Sequence, residues 1–143
     1  MNVTLIRPPS TLRKYSVMSP ATPPIGLAYV ASSLIDAGHE VEFIDTVGEA
    51  IDHYISNDEN TIYQGLEIEE IIDKIPSSDA IGVSIMFSQD WLVARDLLNR
   101  IHETFPQSVL FVGGEHVTAV PEEVLEDVPG VQFVLTGEGD QSA

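Results

Sequence analysis

The residues best suited to ligand contact lie in turns that follow apolar, strand-like runs. Residues 113–116 read Gly-Gly-Glu-His, and residues 137–139 read Gly-Glu-Gly. Glycines let the backbone approach a flat or bulky ligand closely, although a double glycine can also simply form a tight turn. The imidazole of His116, beside the carboxylate of Glu115, could take part in chemistry. A lone histidine without a second ligand nearby, however, is not typical of a metal site. The functional signal therefore depends on whether these turns fall on one edge of the fold.

Composition and charge narrow the classes of function. The chain has 143 residues, the length of one domain, and 6 basic against 23 acidic residues give a net charge of −17. This charge argues against nucleic acids and anionic membranes as partners, because both require Lys and Arg to neutralise phosphate. The absence of cysteine excludes disulfides, zinc–thiolate sites and iron–sulfur clusters held by these residues. With no apolar run long enough to span a bilayer and no visible signal peptide, we expect a cytoplasmic soluble domain.

Strand-like and helix-like segments alternate along the chain. We predict strands at 3–6, 41–44, 80–85, 109–112 and 131–135. Helical spacing of apolar residues predicts helices from Ile25 to a cap at Gly38, over 66–75, over 91–105 and over 121–126. Residues 7–22 are predicted to form a long loop, and residues 46–64 a loop or a poorly formed helix.

The predicted strands are continuous apolar runs, which are typical of a parallel sheet covered on both faces. They predict an α/β, flavodoxin-like (Rossmann-like) five-stranded sheet in the order 2-1-3-4-5, with helices on both faces. In this fold a ligand lies beyond the carboxyl ends of the strands, at the switch between the first and third. The loops at that edge are 7–22, 85–90, 113–120 and the residues from 136 onward. We therefore expect a large ligand lying across one rim.

Several segments together resemble one known family. They are RPPS after the first strand, PPIGLAYVASSLIDAGHEVEFIDT, AIGVSIMFSQDW, FVGGEHVTAVPEEVL and FVLTGEGD, and they span nearly the whole chain in the family's order. In this combination the sequence resembles the N-terminal cobalamin (B12)-binding domain of cobalamin-dependent radical S-adenosylmethionine enzymes. That group includes methyltransferases and the anaerobic magnesium-protoporphyrin IX monomethyl ester oxidative cyclase.

The resemblance implies cobalamin as the cofactor, on the C-terminal edge of the strands, with its nucleotide tail between the first and third strands. By position it assigns cofactor binding to Pro24, Gly26, Ser84, Met86, Phe87, Ser88, Gly113, Gly114, Glu115, His116, Thr118, Gly137, Glu138 and Gly139. Residues 84, 86 and 88 would line the tail and the ring edge, and residues 113–118 would cradle the tail or ring. Residues 137–139 would close the other side, and residues 24 and 26 would shape the start of the first helix. Residues 85–87 would offer an apolar wall to the corrin ring.

One departure from related corrinoid proteins concerns the lower ligand of cobalt. Corrinoid domains of the methionine synthase type carry a DxHxxG motif, whose histidine replaces the tail base on cobalt. Aligning its glycine with Gly26 places Pro23 at the histidine and Ala21 at the aspartate. Neither residue can ligate cobalt or relay a proton. We therefore expect base-off cobalamin without a histidine from this loop.

The lower cobalt site is then expected to be open, filled by water, or approached by another residue of the first loop. The segment 10–19 is the candidate, with Tyr15 and Met18 as possible ligands. His116 is a less favoured alternative, because the equivalent loop normally faces the nucleotide tail.

A second departure concerns catalysis. Radical S-adenosylmethionine chemistry requires a CxxxCxxC triplet that holds a [4Fe–4S] cluster, and this sequence contains no cysteine. In the family that motif lies downstream of the GEG segment, so we expect residues 1–143 to be a cobalamin-binding domain excised from a longer protein. S-adenosylmethionine and the cluster would belong to the missing C-terminal radical domain. The isolated domain would then bind cobalamin without catalysing a reaction, and the parent would be a methyltransferase or an oxidative cyclase.

Two non-corrinoid functions share this fold class. A receiver-type signalling domain needs acidic residues after the first strand and a phosphorylatable Asp after the third. This sequence has Arg7-Pro8-Pro9 and Ile85-Met86-Phe87 at those places. A nucleotide- or sugar-binding module could use the Gly-Gly-Glu-His turn for phosphate, but no GxGxxG follows the first strand. Fold alone cannot decide between these functions, and the residue types favour cobalamin.

Overall fold

The computed structural model describes residues 1–15, 21–137 and 139, which form two β-sheets with helices around the larger one. The strands are β1 (Asn2–Arg7), β2 (Ser10–Arg13), β3 (Glu40–Asp45), β4 (Tyr54–Ser56), β5 (Thr61–Gln64), β6 (Ala80–Ser84), β7 (Val109–Gly113) and β8 (Phe133–Leu135). The helices are α1 (Ile25–Asp36), α2 (Thr46–Glu49), α3 (Ile68–Lys74), α4 (Trp91–Thr104), α5 (Glu115–Ala119) and α6 (Pro121–Asp127). A turn of 3₁₀ helix at Ser88–Asp90 leads directly into α4.

The larger sheet confirms the predicted topology. It has five strands in the order β3-β1-β6-β7-β8, which is 2-1-3-4-5 when only these parallel strands are numbered. In its register, Leu5 of β1 pairs with Phe43 of β3 and Gly82 of β6, and Phe111 of β7 pairs with both Gly82 and Phe133 of β8. All these pairings are parallel, so the carboxyl ends of the strands reach the same edge.

Helices cover both faces of this sheet, as predicted, but unequally. On one face α3, α4 and α6 share a large buried core with β1, β6 and β7. On the other face α1 packs Leu27 and Leu34 against Leu5 and Ala80. Because α1 contacts β1 and β3, the same face of β8 is less covered, and Phe133 is 58% exposed. The uneven cover leaves a depression beside α1.

The local sequence explains where the main helices begin and end. Gly38, with a φ of +89°, follows the C-cap of α1, because glycine adopts the left-handed conformation most easily. Helix α4 ends at Thr104, just before Pro106, whose ring cannot continue a helix. The buried residues of α4 form the apolar face that its spacing predicts: Val93, Ala94, Leu97, Leu98 and Ile101. Within the described ranges, every helix is too short or too polar for a membrane-spanning segment.

The sequence prediction is wrong for residues 46–64 and incomplete for residues 7–22. Strands β4 and β5 form a hairpin, and β2 pairs with β5 to complete a three-stranded antiparallel sheet. The hairpin turn is fixed by the Asp58 carboxylate, which accepts hydrogen bonds from the Asn60 and Thr61 backbone N–H groups at 2.7 and 2.8 Å. The acidic, Asn-containing run that suggested a loop is this turn, and its flanking strands are too short to show a clear alternation.

Candidate functional site

Two adjoining grooves open at the carboxyl edge of the parallel sheet. The first, the sheet groove, lies between α1 and the ends of β6, β7 and β8 and has a volume of about 170 Å³. The second, the loop groove, lies between the segment before α1 and the loop after β6 and has a volume of about 320 Å³. Gly26, Leu27, Ser84 and Met86 line both grooves, which therefore form one continuous depression. This is the edge where the fold predicts a ligand.

The sheet groove gathers most of the residues singled out from the sequence. Those that line it are Gly26, Ser84, Met86, Gly113, Gly114, Glu115, Gly137 and Gly139. They come from α1, from the ends of β6 and β7, and from the segment after β8, which lie far apart in the sequence. The side-chain-poor turns therefore meet at one rim.

The residues that form the floor of the sheet groove were not among those singled out from the sequence. The floor contains Leu5, Gly82 and Phe111, which are paired neighbours on adjacent strands. A Cβ on Gly82 would stand 2.3 Å from Cζ of Phe111, so glycine makes room for the ring. Further apolar walls come from Leu27, Tyr29, Val30 and Leu135. Each of the three floor residues lies two positions before the last residue of its strand, which is Arg7, Ser84 or Gly113. Because residues two apart on a strand share one face of the sheet, this alternation could have identified the floor from the sequence.

The turn after β7 depends on glycine at position 114. Gly114 has a φ of +107°, and a Cβ there would stand 2.4 Å from the carbonyl oxygen of Ile85. Only glycine meets both the backbone conformation and the close approach. The chain then enters α5, which corrects the loop predicted over 113–120, and the His116 N–H donates to the same Ile85 carbonyl at 3.2 Å. The double glycine thus lets the ends of β6 and β7 lie against each other.

Two further rim glycines face open space. A Cβ on Gly26 or on Gly137 would meet nothing within 4 Å. Gly137 has a φ of +78°, which by itself favours glycine. Gly26 lies in the first turn of α1 and lines both grooves. Glycine at position 26 therefore keeps the rim open without serving the packing of the fold.

The loop groove combines proline with polar side chains. The residues singled out from the sequence that line it are Pro24, Gly26, Ser84, Met86 and Phe87. Pro23, which occupies the position of the motif histidine, also lines it, as does Arg7. The Arg7 guanidinium donates to the carbonyl of Thr22 at 2.9 Å and pairs with the Asp45 carboxylate at 3.3 Å. Arg7 therefore fixes the segment before α1 against the sheet.

A buried carboxylate closes the far side of the loop groove. Asp90 is only 6% exposed, and its Oδ1 accepts a hydrogen bond from the Thr11 N–H at 2.6 Å. Gln89 donates from Nε2 to the Thr11 carbonyl at 2.9 Å. Burial raises the pKa of Asp90 above its usual range, although the hydrogen bonds that its carboxylate accepts from Thr11 and Ser10 oppose the shift. The pair Gln89–Asp90 thus ties β2, and with it the antiparallel sheet, to the loop after β6.

The loop after β6 presents apolar side chains at the rim. Met86 is 45% exposed and Phe87 is 60% exposed, although Ile85 beside them is fully buried. Methionine and phenylalanine are usually buried in the core, but these two side chains are not. We call residues 86–88 the shelf. Its exposed apolar edge, next to both grooves, is a feature of ligand-binding surfaces.

Three of the residues singled out from the sequence stand behind the grooves, and none of them lines either groove: Ser88, His116 and Thr118. Nδ1 of His116 lies 3.0 Å from Oγ of Ser88. The Thr118 hydroxyl accepts a hydrogen bond from the Gly137 N–H at 3.0 Å. Burial lowers the pKa of His116, which disfavours the charged imidazole. These side chains support segments of the rim.

The proposed lower ligands of cobalt are not gathered at the grooves. None of the four histidines, all within the described residues, lines either groove. Tyr15 is 85% exposed and lines neither. Met18 and Glu138, which were also singled out from the sequence, lie outside the described residues. In the part of the chain that the structure describes, no group of three or more His, Cys or carboxylate side chains could hold a metal ion.

Proteins with related sequences are much longer than this chain. It is 28% identical over 144 residues to the cytidylyl-2-hydroxyethylphosphonate methyltransferase of Streptomyces wedmorensis, covering 98% of this chain and 27% of that protein. It is 26% identical over 141 residues to the anaerobic magnesium-protoporphyrin IX monomethyl ester cyclase of Synechocystis, covering 98% and 26%. An uncharacterized methyltransferase of Pyrococcus horikoshii is 28% identical over 142 residues, covering 98% and 27%. The chain spans about a quarter of the length of these curated relatives.

Solved structures share the fold. The RcsB response regulator of Salmonella typhimurium superposes with a TM-score of 0.57 at 14% identity, over 98% of this chain and 53% of that chain. The signal receiver domain of an HD domain-containing protein from Pseudomonas fluorescens gives a TM-score of 0.57 at 11% identity, over 99% and 86%. At these identities the likeness shows a common fold alone.

A family model matches most of the chain, including the segments that form the rim. It is the model of the B12 binding domain, and it matches residues 17–143. The matched range contains α1, the shelf, the Gly114 turn and the segment after β8, which together form the rim. Because the match extends over most of the chain, this chain belongs to the family of B12-binding domains.

Proposed function

We propose that this chain binds cobalamin across the sheet groove and the loop groove, and holds it for chemistry carried out within a longer protein. The observation that carries the proposal is the convergence of Gly26, Ser84, Gly114 and Gly137 on one groove. These positions come from four separate segments, and together they remove side-chain bulk from one lip of the sheet. The match to the B12 binding domain supports the identity of the ligand.

The sheet groove suits the nucleotide tail of cobalamin. Its floor of Leu5 and Phe111 is apolar and can pack against the aromatic base of the tail. The hydroxyl of Ser84 and the backbone around Gly113 and Gly114 supply polar partners at the mouth. Gly137 lines the same groove, and a Cβ there would meet nothing within 4 Å. We therefore propose that the tail runs into the sheet groove, over the floor that Leu5 of β1 and Gly82 of β6 help to form.

The loop groove and the shelf suit the corrin ring. The ring is largely hydrocarbon at its edges, and Met86 and Phe87 offer exposed apolar area beside the groove. Pro23 and Pro24 form part of the opposite side. Their rings hold fixed backbone angles, so this wall is ordered before any ligand binds. We propose that residues of both walls orient the ring and exclude water from one side of it.

We also propose that cobalamin is held base-off, without a histidine of this chain on cobalt. Pro23 lines the loop groove where the motif histidine would stand, and it offers no ligand atom. His116, the alternative ligand, has its ring against Trp91 and its Nδ1 near Ser88. The lower side of cobalt would then be open or filled by water.

The wider setting is proposed from the relatives. Cobalamin, when bound, would supply a cobalt centre that carries a methyl group or takes part in radical chemistry. We propose that residues 1–143 act as one domain of a longer enzyme, whose radical domain binds S-adenosylmethionine and a [4Fe–4S] cluster. The names of the relatives, which include a methyltransferase and a cyclase, support this setting. The absence of cysteine from this chain means that such a cluster must be held elsewhere.

A comparison of two corrinoids tests the placement of the tail. Hydroxocobalamin has the nucleotide tail, whereas cobinamide lacks it. We expect the purified chain to bind hydroxocobalamin at least tenfold more tightly than cobinamide, as measured by changes in visible absorption. Equal affinity would exclude the tail from the sheet groove.

Electron paramagnetic resonance of bound cob(II)alamin tests the lower ligand. An axial nitrogen splits each cobalt line into three, as in free base-on cob(II)alamin, which serves as the control. We expect unsplit lines from the protein-bound form. A three-fold splitting that disappears in the His116→Phe variant would replace the proposed open lower site with a histidine ligand.

A further inference from the structure

The shelf is fixed at both of its ends by buried groups. Before it, Ile85 is fully buried, and its N–H donates to the last carbonyl of β7 at 2.8 Å. After it, the buried Asp90 accepts a hydrogen bond from Thr11 at 2.6 Å. The two apolar side chains between these points nevertheless remain exposed. The shelf is therefore a short apolar edge held between two fixed points.

His116 contacts the shelf from behind. Its backbone N–H donates to the carbonyl of Ile85 at 3.2 Å, and its Nδ1 lies 3.0 Å from Oγ of Ser88. One residue of α5 thus contacts both the residue before the shelf and its last residue. The Gly114 turn, which only glycine can form, sets the position of α5 and with it the position of the imidazole.

The His116 ring lines neither groove. It lies against Trp91, with ring centroids 5.1 Å apart, and Trp91 in turn donates from Nε1 to Asp127 at 3.2 Å. Nε2 of His116 is buried and has no hydrogen-bond partner among the described residues. A charged imidazole would leave that N–H without an acceptor, which is costly in a buried site. A neutral, packed ring is suited to holding its neighbours in place.

We infer that His116 is a positioning residue, which fixes the shelf through Ser88 so that Met86 and Phe87 present a preformed apolar edge to the corrin ring. The inference rests on the proposed function, because it assigns the shelf to the corrin. His116 itself touches neither the cofactor nor cobalt in this arrangement. A preformed edge lowers the cost of ordering side chains when the ligand binds. Its loss should therefore appear mainly in the rate of ligand dissociation.

Three variants separate this role from general stabilisation. Ser88→Ala removes one partner at an exposed position, so the fold is retained. His116→Phe keeps an aromatic ring against Trp91 but removes Nδ1. His116→Asn restores a polar atom near the place of Nδ1, so it should rescue the contact with Ser88 although it loses the ring.

Hydrogen–deuterium exchange of the ligand-free chain gives the first measurement. We expect the amides that donate hydrogen bonds at the two ends of the shelf, those of Ile85 and Asp90, to exchange about fivefold faster in Ser88→Ala and His116→Phe, the factor that one lost hydrogen bond provides. Exchange in His116→Asn should return toward the wild-type rate. Amides of α1 serve as the internal control and should not change.

Dissociation of hydroxocobalamin gives the second measurement, together with the induced circular dichroism of the bound corrin. We expect faster release and a reduced corrin signal in Ser88→Ala and His116→Phe, with partial recovery in His116→Asn. Wild-type exchange and release in both disruptive variants would overturn the inference while leaving the proposed function intact. Failure of the wild-type protein to bind hydroxocobalamin, both as this chain and in the full-length protein, would overturn the proposed function and this inference together.

Discussion

Leucine at position 26 should block cobalamin without harming the fold. A Cβ there meets nothing within 4 Å, and the residue lies in the first turn of α1. Glycine is a poorer helix former than alanine or leucine by up to about 1 kcal/mol. We therefore expect Gly26→Ala and Gly26→Leu to keep or raise the free energy of unfolding. A gain of about 1 kcal/mol corresponds to about 2–4 °C in Tm for a domain near this size.

The effect on binding should have the opposite sign. Gly26 borders the depression that joins the sheet groove to the loop groove, so the leucine side chain would extend into space that the ligand needs. Extra methylenes in occupied space typically cost about 1–3 kcal/mol. At about 1.4 kcal/mol per factor of ten, this predicts a loss of about 5- to 150-fold in affinity. Alanine, which adds a single carbon, should lose least.

Two measurements on the same preparations test this prediction. Titration with hydroxocobalamin, followed by visible absorption, gives the affinity, and urea unfolding gives the stability. Ala28→Leu is the matched control, because Ala28 lies on the same helix but lines an outer surface instead of either groove. Wild-type affinity in a stable Gly26→Leu variant would refute the placement of the ligand at this rim.

Further predictions address the turn, the buried carboxylate and the imidazole. Gly114→Ala should lower stability by at least about 1–3 kcal/mol because of its strained φ alone, whereas Gly113→Ala, whose Cβ would lie 3.6 Å from Leu135, should be tolerated in the same urea unfolding assay. Asp90→Ala should cost about 1–3 kcal/mol, because the Thr11 N–H loses its acceptor. Asp90→Asn keeps an acceptor for the Thr11 N–H and removes the charge of a carboxyl whose pKa is raised by burial. The free energy of unfolding of Asp90→Asn at pH 7 should therefore equal or exceed that of the wild type. A larger loss of stability than in Asp90→Ala would contradict this interpretation. His116, whose pKa is lowered by burial, stabilises the fold in its neutral form, so this contribution should be present above its usual pKa near 6.5 and be lost as the pH falls below it. The wild type should therefore lose more stability than His116→Phe between pH 7.5 and 5.5, and parallel pH profiles would contradict the assignment.

The parallel sheet could be predicted from the sequence because its strands are continuous apolar runs separated by helices. The run around Ile81 is buried on both faces, and the run around Leu110 is buried on one face and partly covered on the other, so both carry a strong signal. The glycine turns after these strands then had to meet at one edge, since parallel strands end together. The same reasoning identified the rim residues Gly26, Ser84 and Gly137, which line one groove.

The antiparallel sheet could not be predicted in the same way. Strand β4 has three residues and β5 has four, too few for an alternation to stand out. The turn between them depends on the hydrogen bonds of Asp58, and an acidic run suggests a solvated loop just as well. The orientation of His116 was also hidden, because its contacts with Ser88 and Trp91 depend on tertiary packing.

A spectroscopic and thermal titration with hydroxocobalamin tests the central claim most directly. We predict a saturable change in the visible spectrum with one corrinoid per chain. At a ligand concentration about 100 times the dissociation constant, the free energy of unfolding should rise by about 2.7 kcal/mol. An unchanged spectrum and an unchanged melting curve, for this chain and again for the longer protein of which we propose it is one domain, would contradict the account.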